Sequence, residues 1–135
     1  MELKLKLSNL YWLLGRKSRL STYNKLLIYK QVLMPVWTYG IQLWGCTSKS
    51  NIKIIEKFQN KAIRTIMNCP WYVRDRDLHR DIGLDSVERV IHKFATSHSL
   101  RLSQHVNAEA SALISSSNRT ERRLQRRRPQ DLVHP

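Results

Sequence analysis

The stretch SNIKIIEKFQNKAIRTIMNCPWYV, residues 50–73, contains no glycine, and its four cations Lys53, Lys57, Lys61 and Arg64 recur at spacings of four, four and three. At about 100° per residue, Ile52, Ile55, Phe58, Ala62, Ile63 and Ile66 fall within one broad arc. The cations lie within about 80° of one another on the opposite arc. The spacing therefore predicts an amphipathic helix with one apolar and one cationic side, its charged row roughly 16 Å long at about 1.5 Å rise per residue. Ser50 is placed to cap its start. Pro70 disfavours helical geometry at Cys69, so the helix is expected to stop there and to throw Trp71 and Tyr72 out at its end.

Outward from this helix the signals remain helical. MELKLKLSNLYWLL (1–14) alternates at first and then turns apolar, so periodicity alone leaves helix and strand open. Gly15 closes it, and GRKSRLS is a basic loop. Ser21 suits the N-cap of the next helix, in which Tyr23, Leu26, Leu27, Lys30, Leu33 and Met34 follow helical spacing. Pro35 removes a backbone donor, so that segment must kink or restart. Beyond 73, RDRDLHRDIGL reads as a short charged helix stopped by Gly83. Asp85 with Glu88 forms a capping box for a longer helix to about Gln104, with Val87, Val90, Ile91, Phe94, His98 and Leu102 on one face.

The expected architecture is all-α: four or five helices, with an N-terminal segment and basic loop over 1–20, a helical domain over 21–114 and a basic tail over 115–135. Six of the ten residues 119–128 are Arg, and such a segment is expected to be disordered when unbound. Across 135 residues, 24 Lys and Arg stand against 10 Asp and Glu, a net charge of +14. An excess of this size in so small a chain calls for a polyanionic partner, foremost nucleic acid. The longest apolar-rich stretch, 26–43, is broken by Lys30, Gln31, Pro35 and Gln42, which argues against a membrane span. Two widely separated cysteines without a secretory leader predict a reduced intracellular protein, in nucleus or cytoplasm.

No recognisable active site emerges. Cys46, Cys69 and His79 lack zinc-ligand spacing, so no metal is expected. Asp75, Asp77, Asp81, Asp85 and Glu88 resemble a Mg²⁺ cluster, but they alternate with Arg74, Arg76, Arg80 and Arg89 and are explained by local ion pairs and helix starts. Neither phosphate-loop nor dinucleotide motifs occur, and no cofactor is implied. Of the four tryptophans, Trp37 and Trp44 sit in apolar surroundings that favour burial, whereas Trp71, beside Tyr72 and Arg74, is the candidate for an exposed ring. The cationic row mixes signs only at Glu56, unlike an ordinary solvated face.

The stretch KLLIYKQVLMPVWTYGIQLWGCTSKSNIKIIEKFQNKAIRTIMNCPWYVRDRDLHRDIGL (25–84) resembles the end of the reverse transcriptase reading frame in insect non-LTR retrotransposons of the jockey type. Its most specific elements are Pro35 to Gly45 with Tyr39-Gly40 and Leu43-Trp44-Gly45, then Phe58-Gln59-Asn60-Lys61, then Pro70-Trp71-Tyr72-Val73-Arg74. The likeness runs from about Leu10 through RRRPQDL near the close. The resemblance implies a thumb-like helical bundle that holds template and product next to the polymerase palm and fingers. The family's palm aspartates are adjacent, and this sequence contains no Asp-Asp pair, so the chain is expected to be a fragment without catalysis of its own.

Phosphate contacts are accordingly expected from Lys53, Lys57, Lys61 and Arg64 on the helix and from Arg16, Lys17 and Arg19 in the loop. Trp71 and Arg74 are expected to contribute at the helix end, and Arg122, Arg123, Arg126, Arg127 and Arg128 to form a non-specific tether. The partner is RNA, DNA or their hybrid. A module of another class, retrotransposon-derived and self-associating through Tyr39, Ile41 and Trp44, is the alternative.

Overall fold

In the computed structural model, which describes residues 2–115 and 129–133, the glycine-free run is one helix of 19 residues, Lys49–Met67. It opens slightly earlier than Ser50: the backbone N–H groups of Asn51 and Ile52 both donate to the Ser48 carbonyl, at 3.0 and 3.2 Å. Nothing between Ser48 and Ser50 breaks helical geometry, so the first turn extends over Lys49. It also stops earlier than Cys69. Asn68 takes a left-handed conformation at φ 50°, and Cys69 N–H donates to the Arg64 carbonyl at 3.2 Å. This six-to-one closure is the Schellman arrangement, in which asparagine is one of the few non-glycine residues at ease. Pro70 then forbids a restart.

The other segments, in chain order, are α1 Glu2–Asn9, α2 Tyr11–Leu14, α3 Thr22–Ile28, α4 Met34–Thr38, α5 Ile41–Trp44, the long α6 Lys49–Met67, α7 Asp75–Ile82, α8 Val87–Ser103 and α9 Ala108–Ser115, with a 3₁₀ turn at Pro129–Leu132. Among the described residues there is no strand, and five of these helices are eight residues or longer. The alternating amino terminus is thus helical. Its leucines do not share one exposure: Leu7 is buried while Leu5 is open to solvent.

Ser21 caps α3 as expected, its hydroxyl accepting from Asn24 N–H at 3.3 Å. The proline problem downstream is solved by a π-helical turn, Tyr29–Leu33, placed just before Pro35. Widening the helix there accommodates a residue that lacks an N–H and would press on the carbonyl four residues back. The α7 helix ends on Gly83 at φ 68°, where Gly83 N–H meets the Arg80 carbonyl and Leu84 N–H the His79 carbonyl. Both α6 and α7 therefore end in the same kind of closure. The last long helix starts at Val87, two residues beyond Asp85.

The chain forms two units: residues 1–40 with 53–87, and residues 41–52 with 88–135. The first buries Leu14, Leu33, Trp37, Phe58, Ile63 and Leu78, among others. Its interior also holds a polar relay. Trp37 Nε1 donates to the Tyr29 hydroxyl at 3.2 Å, the Gln59 side chain hydrogen-bonds the same hydroxyl, and Gln59 Nε2 donates to the Asp85 carbonyl at 3.1 Å. Tyr29 is fully buried and Gln59 is 1% exposed, so each polar atom there needs the others. Burial pushes the Tyr29 hydroxyl up to about 12 against the partial relief of its two hydrogen bonds.

The second unit buries Ile41, Ile52, Val90, Ile91, Ala95 and Leu132. Its backbone passes so closely at Gly45 that a Cβ there would lie 3.0 Å from Ile91 Cγ2 and 3.4 Å from Leu132 Cδ1. Phe94 is exposed, while His98 and Leu102 are half-buried, so the apolar face expected of α8 is buried only over its first turns. Of the basic tail, residues 129–133 are described: Leu132 is buried and His92 Nε2 lies 3.2 Å from the Val133 carbonyl oxygen. Of the tail expected to be disordered, 115–135, residues 116–128 with their arginines and residues 134–135 lie outside the described residues.

Candidate nucleic-acid interface

The expected cationic row separates into two kinds of residue. Lys53, Lys57 and Lys61 are exposed, and among the described residues their ammonium groups meet no carboxylate. Arg64 differs. Its Nε lies 3.1 Å from Asp75 Oδ1, which its NH2 also contacts, while NH1 donates to the Pro70 carbonyl at 3.0 Å and the Trp71 carbonyl at 3.4 Å, and NH2 to that of Val73. One guanidinium fork thus ties the end of α6 to the whole 70–75 loop. Only 25% of its side chain is exposed. A planar, five-donor group suits this task in a way that an ammonium does not.

A second tie holds the loop after α2. Lys25 is 6% exposed, and its Nζ donates to the Gly15 carbonyl at 2.9 Å. A cation buried on α3 thereby fixes the backbone from which Arg16 projects. The acidic residues are likewise settled locally. Asp75 pairs with Arg64 and accepts from Asn60 Nδ2 at 3.0 Å, while Asp77 and Asp81 stand 3.6 and 3.9 Å from Arg80. The main partner of Asp75 is therefore a residue of another helix and not an adjacent arginine. Asn60 Oδ1 in turn lies 2.7 Å from His79 Nε2, and His79 Nδ1 lies 3.1 Å from the Leu84 carbonyl oxygen, which locks α7 against α6.

Between these ties lies a groove of about 520 Å³ within the first unit, lined by Tyr11, Arg16, Lys57, Asn60, Lys61, Arg64, Thr65, Asn68, Trp71 and Asp75. It brings together five of the residues singled out by sequence: Arg16, Lys57, Lys61, Arg64 and Trp71. Lys17, Arg19, Lys53 and Arg74 are exposed outside its lining, and Arg122 to Arg128 lie outside the described residues. Four cations face one carboxylate, which Arg64 already neutralises. Sequence reasoning missed Tyr11, Asn60, Thr65 and Asn68. The last three continue the Lys57, Lys61 and Arg64 face of α6, a signal that a polar-side reading of that helix would have caught, whereas Tyr11 comes from a distant segment.

The indole of Trp71 is 88% exposed, with Tyr72 packed edge-on at 6.1 Å between ring centroids. Trp37 is buried as expected, and Trp44 is half-buried. Cys46 and Cys69 are free thiols, and burial, followed by the charge of Asp131, raises the Cys46 thiol above its usual range. Among the described residues, no cluster of three or more His, Cys, Asp or Glu side chains is disposed to hold a metal, and no helix is long and apolar enough to cross a membrane.

An all-helical chain with a cationic and aromatic groove is the class that these observations define. Comparison with known proteins adds its ancestry. No protein-family model matches the chain, and no solved structure does. It is 47% identical over 131 residues to the probable RNA-directed DNA polymerase from transposon X-element of Drosophila melanogaster, covering 97% of this chain and 14% of that protein. It is 41% identical to the corresponding protein from transposon BS of the same species and 34% identical to the RNA-directed DNA polymerase from mobile element jockey, covering 13% and 15% of those proteins. The chain is thus homologous, over nearly all its length, to a part of the RNA-directed DNA polymerases of these transposons, and spans about one seventh of the relatives it matches.

Proposed function

We propose that this chain is a non-catalytic, thumb-like module of a transposon RNA-directed DNA polymerase, and that it grips the phosphates of template or product in the groove of its first unit. The observation that carries this reading is the set of cations there: Arg16, Lys57 and Lys61 line one concavity whose single carboxylate is already paired. From Lys53 to Lys61 the exposed row covers roughly 12 Å of helix rise. Positions of this kind hold a backbone without reading its sequence. Lys53, Lys17, Arg19 and Arg74 extend the field around the groove, and Arg122 to Arg128 add a tether. Arg64 serves this site by shaping it.

Converting Arg16, Lys57 and Lys61 together to Gln tests the reading in a salt-titrated binding assay on RNA, DNA and hybrid. Affinity should fall for all sequences, and the slope of log K against log salt should flatten by about 0.7 to 0.9 for each phosphate that is no longer neutralised. An unchanged slope would remove the groove from consideration. A rival reading, self-association through exposed apolar residues, has Tyr39 in its favour at 87% exposure, but Ile41, also expected in that surface, is buried. Sedimentation with and without hybrid separates the two.

A further inference from the structure

The groove pairs its cations with a ring that phosphate binding alone does not require. Trp71 leaves 88% of its surface in water at the groove's edge, and Tyr11, another exposed aromatic, lines the same concavity. An exposed indole beside a cationic groove offers a flat face on which a base can stack. What keeps the ring in place is equally specific. Arg64 donates to the carbonyls of Pro70, Trp71 and Val73, one residue before the indole, its own and two residues after it, and also holds Asp75 just beyond. Tyr72 braces the indole edge-on. Asn68, in its left-handed turn, fixes where the loop leaves the helix. The backbone that carries the ring is therefore preset, so the loop itself needs little ordering on binding.

Resting on the phosphate-gripping reading, we infer that the groove takes a nucleic-acid strand with an unpaired nucleotide, whose base stacks on Trp71 while neighbouring phosphates lie on Lys57, Lys61 and Arg16. Inside a duplex each base face is covered by the next pair, so an exposed ring finds a partner only where a strand is single or splayed. Stacking tolerates any base, because each presents a π-face, so the preference is for strandedness and not for sequence. The groove favours single-stranded over fully paired nucleic acid of equal charge.

The test measures fluorescence anisotropy of a labelled single-stranded RNA of about a dozen nucleotides, within the usual range of single-strand site sizes. It uses an otherwise identical strand with abasic positions and the same sequence fully paired, with the full chain and its Trp71→Ala and Trp71→Phe variants. Removal of one stacked base predicts that Trp71→Ala weakens binding of the base-bearing strand by about 5- to 150-fold, that Trp71→Phe restores most of it, and that the abasic strand is bound equally by all three proteins. Equal affinity of wild type and Trp71→Ala for the base-bearing strand would overturn the inference. An equal loss on the abasic strand would overturn it too, since the ring would then act through something other than a base. Failure of the wild-type chain to bind the abasic strand in a salt-dependent way would instead count against the phosphate-gripping reading.

Discussion

Arg64→Lys keeps the positive charge of the α6 face and removes the planar fork, so it separates two roles that sequence alone merges. If Arg64 served as one more cation for phosphate, lysine would replace it with little change. In the structure its guanidinium meets Asp75 twice and three carbonyls of the 70–73 loop, and an ammonium on a flexible stem can serve one or two of these groups. Charge-assisted hydrogen bonds are nominally worth about 1.5 to 3 kcal/mol each. Asp75 is 48% exposed, however, and water competes for both partners, so the hydrogen bonds that lysine cannot make are discounted toward surface values. The net expectation is a loss of about 2 kcal/mol of stability, or roughly 8 °C in melting temperature for a domain of this size. Hydrogen exchange should quicken at Trp71, Tyr72 and Val73 before it does so in α8. A lysine variant with wild-type melting and wild-type protection at those amides would refute the reasoning.

Two further predictions address the fold. Tyr29 keeps its proton up to about 12, while an unfolded tyrosine gives it up near 10. The native state thus holds more protons than the unfolded one in that window, so stability is present in full below pH 10 and falls as pH rises toward 12, by about 3 kcal/mol. Tyr29→Phe should lower stability by about 1 to 3 kcal/mol by leaving the Trp37 N–H and the Gln59 amide without their partner, and should abolish most of this alkaline loss. Urea unfolding on either side of pH 10 checks both, and an identical alkaline loss in the variant would count against the relay. Gly83→Ala places a side chain in open space but at φ 68°, so it should cost about 1 kcal/mol, with Gly83→Asn milder, as read from thermal melts.

The helix carrying the site was plain in the sequence because its signal is periodic: apolar and cationic residues segregate by angle, and Gly83 and Ser21 mark boundaries through chemistry that acts locally. The stop of α6 was less plain. Asn68 and Pro70 both end helices, and only the backbone decides which acts first. The double role of the cationic row was not legible, because although Arg64 is the one arginine among lysines, the groups its fork holds, Asp75 and the 70–73 carbonyls, are brought to it only by loop closure. Arg16 and Tyr11 reach the groove by the same non-local route, through a Lys25 tether that no spacing rule anticipates. The π turn before Pro35 likewise answers a conflict that sequence flags without saying how it is relieved.

The interior amide of Gln59 has an effect on the opposite side of its helix. Isoleucine, alanine and phenylalanine fit one another in many rotational settings, and a cylinder with a purely greasy stripe could turn about its axis with small penalty. A single polar group that must find both the Tyr29 hydroxyl and the Asp85 carbonyl admits far fewer settings. The azimuth of the lysines outside is thereby dictated from within, so mutations at this uncharged residue should misdirect the ridge without touching it.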